Sequence, residues 1–268
     1  MKYQEFEPGD PLSNYIQLIW ILESESEQEV YQRNRILPDG IVEVIFHYES
    51  PFITCTSDGT KMKQPQGFAI SQMRKFIEIE SDGKIGFISV RFYPWGAYHF
   101  FEEPINNFLD DTIDLANVWP DQYETIMKDI YSASNDAERV KRVKDFLLKR
   151  LCENKNDYTS IDKAVRLIRS SKGQMSLEEI GEKTGFSKKQ LERKFLTTVG
   201  TSPKVFSRIS RFLHICKNLE EQNGKILTQL AYECGYFDQS HFIKEFKEFS
   251  GFTPKAFFEK NNVVFADM

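Results

Sequence analysis

The chain is poor in the residues that build metal centres and covalent frameworks. Its 268 residues include 4 cysteines and 4 histidines. Cys55, Cys152, Cys216 and Cys234 are scattered, with no C-x-x-C pair. Neither disulfides nor zinc are therefore expected, and a reducing cytosol fits, which makes a cytoplasmic location the expectation. No H-x-H or H-E-x-x-H spacing occurs, so no metal site is expected from the sequence. There is no Gly-rich phosphate loop and no nucleophile elbow, so neither an enzyme nor a bound cofactor is expected. No apolar run reaches the roughly 18 residues of a membrane span, so no membrane partner is expected. The opening MKYQEFEPGD lacks the basic and apolar regions of an export leader, and none is expected.

What is present is an ordinary globular composition, with 40% hydrophobic residues and 14 glycines. The length exceeds a usual single core and predicts two domains. Net charge is −5, which argues against a nucleic-acid binder until its distribution is considered. Residues 160–260 hold 18 Lys and Arg against 12 Asp and Glu, whereas residues 1–159 hold 17 against 27. This asymmetry predicts a modestly basic module carried by an acidic one.

The basic part contains a repeated pattern. In GYFDQSHFIKEFKEFSGFTPKAF, Gly235 to Phe257, Asp238 can cap a helix. Phe242, Phe246 and Phe249 then recur at helical spacing. Gly251 suits the left-handed residue past a helix end, and Thr253-Pro254 suits the start of the next helix. Gly185 stands 50 residues before Gly235, and Leu177 and Ile180 stand 50 before Leu227 and Leu230. Leu191, Phe195, Gly200, Pro203 and Phe206 precede Phe242, Phe246, Gly251, Pro254 and Phe257 by 51. Fixed-period similarity predicts one helix-turn-helix unit used twice. Ser176 with Glu179, and Ser187 with Gln190, form capping-box patterns. Val205, Ile209, Phe212, Cys216 and Leu219 predict a helix over 204–221 that joins the units.

These residues, over about 158–260, resemble the double helix-turn-helix DNA-binding domain of the AraC/XylS family of bacterial transcription regulators. The resemblance implies a sequence-specific transcription regulator, such as an activator, whose two recognition helices enter successive major grooves of promoter DNA. RNA polymerase is a further implied partner if it activates. The candidate DNA-contacting residues are Ser187, Lys188, Lys189, Gln190, Arg193 and Lys194 in the first unit. In the second they are Asp238, Gln239, Ser240, His241, Lys244 and Lys247. Arg193 is the leading base reader, because a guanidinium fork matches guanine O6 and N7. Lys188, Lys194 and Lys247 suit phosphate contacts or solvated charges. Ser187, Asp238 and Ser240 suit capping as well as positioning. Glu192, Glu245 and Glu248 are expected to face solvent.

Residues 1–120 predict an effector or sensor-like domain. Strand-like stretches lie near Ile16, Arg33, Val42, Phe68, Phe76 and Phe87. Turns are expected at Pro38-Asp39-Gly40, Ser57-Asp58-Gly59, Gln66-Gly67 and Ser81-Asp82-Gly83. The overall class is α+β, with a mainly β small sandwich or barrel followed by an all-α part. LPDGIVEVIFHY and FISVRFYPWGAYHFF are similar to the N-terminal domain of one AraC-type subfamily. Glu43, His47, Arg91 and His99 are polar residues in apolar stretches that a small-molecule effector could use. Residues 121–157 predict a helical linker, which packs within the chain or forms a homodimer. Residues 158–260 form the DNA-binding domain and 261–268 a tail. Two alternatives stay open: a β domain that binds a protein partner, or a fused enzyme or metabolite-binding domain whose gene the DNA-binding half autoregulates.

Overall fold

The computed structural model describes residues 1–25, 33–56, 59–154, 161–221, 231–232, 234–236, 238–258 and 263–264. The first half is built from two sheets and no barrel. β1 (Lys2–Phe6), β2 (Ile16–Glu23), β9 (Gly86–Phe92), β4 (Glu43–His47), β7 (Gly67–Ile70) and β10 (Thr112–Asp114) form one sheet in that spatial order. The second sheet runs β11 (Val263–Val264), β3 (Asn34–Ile36), β8 (Ile77–Glu80), β5 (Ile53–Cys55) and β6 (Lys61–Lys63). All pairings are antiparallel except that of β11 with β3.

Alternation assigns the faces of the larger sheet. Ile19, Ile21, Val44, Phe46, Ile88, Val90 and Phe92 point to one side and are fully buried. Against them pack α1 (Leu115–Val118), α2 (Pro120–Ser132) and α3 (Asp136–Glu153), through Leu115, Ile126, Ile130, Val140, Val143 and Leu147. The apolar stripe of the helix pair is thus covered within the chain. On the other side, Trp20, Ile45 and Phe87 meet Phe52 and Ile79 across the gap between the sheets. All seven residues of β9 are buried because both of its faces are covered.

The six expected strands are present. Gly67 opens β7 rather than marking a break, because it pairs with Phe46 of β4. Gly40, Gly59 and Gly83 have φ of 75°, 90° and 140°, as turns demand. Ser57 and Asp58 lie outside the described residues. So do residues 155–160, across the expected boundary between the helical linker and the DNA-binding domain.

The second half is helical: α4 (Asp162–Ser170), α5 (Leu177–Thr184), α6 (Lys188–Val199), α7 (Pro203–Glu221), α8 (Gln239–Ser250) and α9 (Pro254–Phe258). α7 starts one residue earlier than the apolar period predicts, because Pro203 takes the first helical position after Ser202. Ser202 caps it by accepting the Val205 N–H at 3.2 Å. Two cores hang on this one helix. Phe206 belongs to the first, with Ile168, Ile180, Leu191 and Phe195. Ile209, Phe212, Leu213 and Cys216 belong to the second, with Phe242, Phe246, Phe249 and Phe257. Leu227 and Leu230, two of the eight residues of the second copy in the internal match, lie outside the described residues, as does the side chain of Leu219.

Candidate nucleic-acid interface and interdomain cavity

Each repeated unit sets one helix with a packed face and an exposed face. In the first, the Ser176 hydroxyl accepts the Glu179 N–H, and the Glu179 carboxylate accepts the Ser176 N–H at 2.9 Å. Those bonds hold the Glu179 carboxyl below its ordinary range. A Cβ on Gly181 would lie 2.7 Å from the Phe186 carbonyl oxygen, so the crossing of α5 and α6 requires glycine there. Gly185 ends α5 at φ 79°. Ser187 and Gln190 form a second complete capping box. Gln190 accepts from the Ser187 amide and hydroxyl, both at 2.9 Å, so both side chains are engaged in holding the helix end. Lys188, Lys189 and Arg193 are exposed, while Leu191 and Phe195 are buried. Lys194 is half-buried, its ammonium 5.3 Å from the centre of the Phe186 ring.

In the second unit the Asp238 carboxylate accepts the His241 N–H at 2.7 Å and so caps α8. Gln239, Ser240, His241, Lys244 and Lys247 are exposed opposite the buried Phe242, Phe246 and Phe249. Gly251 closes the helix at φ 75°. Glu245 does not face solvent as the helical period suggested. It is 3% exposed and accepts from Arg208 Nε at 2.7 Å and from the Tyr236 hydroxyl at 2.5 Å. Arg208 also donates to the exposed Glu248 at 2.7 Å. Burial, with Glu245 beside it, pushes the Tyr236 hydroxyl up. His241 lies 5.4 Å from the Tyr236 ring, and its Nε2 is 3.9 Å from Glu245. A cleft between the units is lined by Lys204, Arg208, Arg211, His241 and Lys244, with the loop before α5 on its other side.

The polar residues of the first half divide. Glu43 and Arg91 come together, with Arg91 donating to Glu43 at 3.3 Å. Both line a cavity of about 370 Å³ between the two sheets. Asp39 completes the group: Arg91 donates to it, and its carboxylate accepts the Ile41 N–H at 3.2 Å. Burial raises the pKa of both carboxyls against the lowering pull of Arg91. Nothing in the chain order singles out Asp39, because it sits in a Pro-Asp-Gly turn, where an aspartate needs no further role. Arg169 on α4 reaches the backbone oxygen of Asp39 at 3.5 Å, so this end of the cavity abuts the helical half. Leu213 of α7 forms part of the wall.

His47 is set back from the cavity. Its Nε2 lies 3.2 Å from the Gln64 amide oxygen, and Gln64 is itself a lining residue. The rings of Phe52, Phe68 and Phe87 surround it at 5.6–5.7 Å. That burial lowers its pKa to about 4. His99 is elsewhere: it is buried against the Tyr15 ring at 4.6 Å, in the short 3-10 helix Ala97–His99. It does not line the cavity with Glu43 and Arg91, but packs beside the Tyr15 and Tyr98 rings. Among the described residues, no group of three or more His, Cys, Asp or Glu could hold a metal ion. No helix among them is long and apolar enough to cross a membrane.

Both halves have counterparts among known proteins. Residues 4–114 match the model of a domain of unknown function (DUF6597), and residues 180–260 match that of a helix-turn-helix domain. The multiple antibiotic resistance protein MarA of Escherichia coli (strain K12) is 31% identical over 83 residues, which cover 31% of this chain. MarA of Salmonella typhi gives the same identity and extent. The chain spans 65% of the length of these curated relatives. Among solved structures, ToxT from Vibrio cholerae has a TM-score of 0.47 at 12% identity, covering 96% of this chain and 98% of its own. Unsaturated fatty acid-bound ToxT from strain SCE256 has a TM-score of 0.44 at 12% identity, covering 87% and 96%. The AraC-like transcriptional activator CuxR has a TM-score of 0.30 at 10% identity, covering 79% and 85%. The helix-turn-helix match over residues 180–260 and the sequence similarity to MarA bear out the resemblance of this part of the chain to the DNA-binding domain of the AraC/XylS family.

Proposed function

We propose that this protein is a sequence-specific transcription regulator whose α6 and α8 enter successive major grooves on one side of promoter DNA. The observation that carries this reading is the pairing of two capped helices, each packed on one face and exposed on the other, on a single connecting helix. The 19 residues of α7 span about 28 Å at ~1.5 Å each. Successive major grooves on one face lie ~34 Å apart. A rod of that length plus the width of the flanking units suits this separation.

Arg193 and Lys244 occupy equivalent exposed positions of α6 and α8 and are assigned to base edges, with Lys189, Gln239 and Ser240 beside them. Lys188, Lys194, Lys247 and His241 suit phosphates. Ser187, Gln190 and Asp238 act by fixing the helix ends, whose free N–H groups also attract phosphate. Selection of sites from a random duplex library, followed by anisotropy titration, tests the assignment. Arg193→Ala should cost about 1–3 kcal/mol on the selected site and leave binding to random DNA nearly unchanged. Equal loss on both would remove Arg193 from base reading.

The cavity between the sheets is the effector site in this reading. Its concave, largely apolar wall favours a small molecule over a protein partner, which would need an exposed apolar patch. Leu213 supports a link to DNA binding, because any ligand that fills the cavity touches the helix that spaces the two units. A ligand shifts that spacing only through unequal affinity for its alternatives.

A further inference from the structure

The charges lining the cavity restrict what it can hold. Its walls are apolar and come from both sheets: Trp20 and Phe87 on one side, Ile36 and Ile79 on the other, with Phe68 and Leu213 between. Three charged side chains reach it, Asp39, Glu43 and Arg91. Two are acids and one is a base.

The base is already engaged. Arg91 is 5% exposed and donates through one terminal nitrogen to Asp39 and through the other to Glu43. Asp39 is further satisfied by the Ile41 amide and lies against Arg169. Glu43 is the less satisfied acid. Its contact with Arg91 is long, at 3.3 Å, and its other partner is the Trp20 side chain. An anionic head group would have to displace a carboxylate from Arg91 and then sit beside both carboxylates. A cationic head group would meet an acceptor that shares Arg91 with Asp39 and holds it only by a long contact, next to an aromatic ring that also attracts cations.

We propose that the cavity takes an apolar amphiphile with a cationic amine head, the ammonium seated on Glu43 and the chain lying between the sheets against Trp20 and Phe87. The inference rests on the cavity being the effector site, and it is independent of which DNA the helices read. Its test is calorimetric titration of the full chain with decylammonium, decanol and decanoate, each below its aggregation threshold. Decylammonium should bind at least about tenfold more tightly than decanoate, with decanol between them. Glu43→Gln keeps the shape and removes the charge, and should bring decylammonium to within about twofold of decanol.

Tightest binding by decanoate, equal binding of all three, or no binding would each overturn the proposal, as would an undiminished amine preference in Glu43→Gln. If that variant does not fold, as judged by its circular dichroism melt, the rank order in the unaltered chain decides alone. Ile79→Trp, which fills the cavity from the opposite sheet, should then abolish binding of all three; retained binding would place the amine elsewhere and end the proposal. DNA binding measured on the same preparation separates the readings: loss of the amine preference with intact DNA binding sinks only the ligand class.

Discussion

At the scale of single residues, burial decides what a polar side chain can do. His47 is fully buried among three aromatic rings, and its Nδ1 has no hydrogen-bond partner among the described residues. Its neutral form is favoured because desolvation penalises the charged imidazolium more than the Gln64 contact supports it. The folded pKa of about 4 lies below the ordinary 6.5. Between those values the unfolded chain binds a proton that the native chain does not, so stability falls as pH falls through this window. The loss should be about 2–3 kcal/mol between pH ~7 and ~4.5. Urea unfolding across that range, compared with His47→Gln, isolates it: the variant can still donate to Gln64 but does not titrate, and should show a shallower slope. An identical slope in both would mean that His47 is solvated. The same scale explains the misreading of Glu245. Helical spacing put it beside Lys244 on the outer face, yet Arg208 and Tyr236, from another helix and from the turn before α8, draw it inward.

At the scale of elements, helix ends and their periods were legible because their causes lie within a few residues. Ser176, Ser187 and Asp238 cap as expected, and Gly185, Gly200 and Gly251 all end helices at positive φ. Strands were legible where both faces bury apolar groups, as in β2, β4 and β9. They were missed where pairing alone makes them. β1 has four exposed residues in five and exists because Lys2 to Phe6 pair with β2. Two glycines separate backbone strain from crowding. Gly185 has φ 79°, and a Cβ there would meet nothing within 4 Å, so Gly185→Ala should cost about 1–2 kcal/mol from conformation alone. Gly173 has φ 71°, and a Cβ there would overlap the Ser207 carbonyl oxygen on α7. Gly173→Ala should therefore cost at least about twice as much. Chemical denaturation of the two variants compares them directly, and equal losses would show that the loop before α5 can move off α7.

At the scale of the whole molecule, an acidic β half and a basic helical half meet at several places, two of which are fastened by an arginine. One is the cavity end, where Asp39 meets Arg169 and where Phe206 of α7 lies against Gly40. The other is Arg35 of β3. Its guanidinium lies between Phe76 and Phe252, 3.8 and 3.9 Å from their ring centres. It donates to Glu78 at 2.6 Å and to the Ser250 backbone oxygen, at the end of α8, at 2.7 Å. Arg35→Ala should cost about 2–4 kcal/mol, since it leaves Glu78 half-buried without its main partner. Hydrogen exchange should show the loss locally, with α8 amides exchanging faster and α2 and α3 amides unchanged. Uniform acceleration throughout would mean that the two halves unfold as one unit.

The amino-acid order by itself determined the repeat in the helical half, the caps and glycine exits of α5, α6 and α8, and the exposed cationic faces of α6 and α8. Those features follow from backbone conformation and from side chains three or four positions apart. Only the tertiary structure decided that Asp39 joins Glu43 and Arg91, that His99 stands apart from them, that Leu213 walls the cavity and that Arg35 holds α8. Each of these depends on groups brought together from distant strands and helices, and Coulomb attraction and desolvation act through space rather than along the chain.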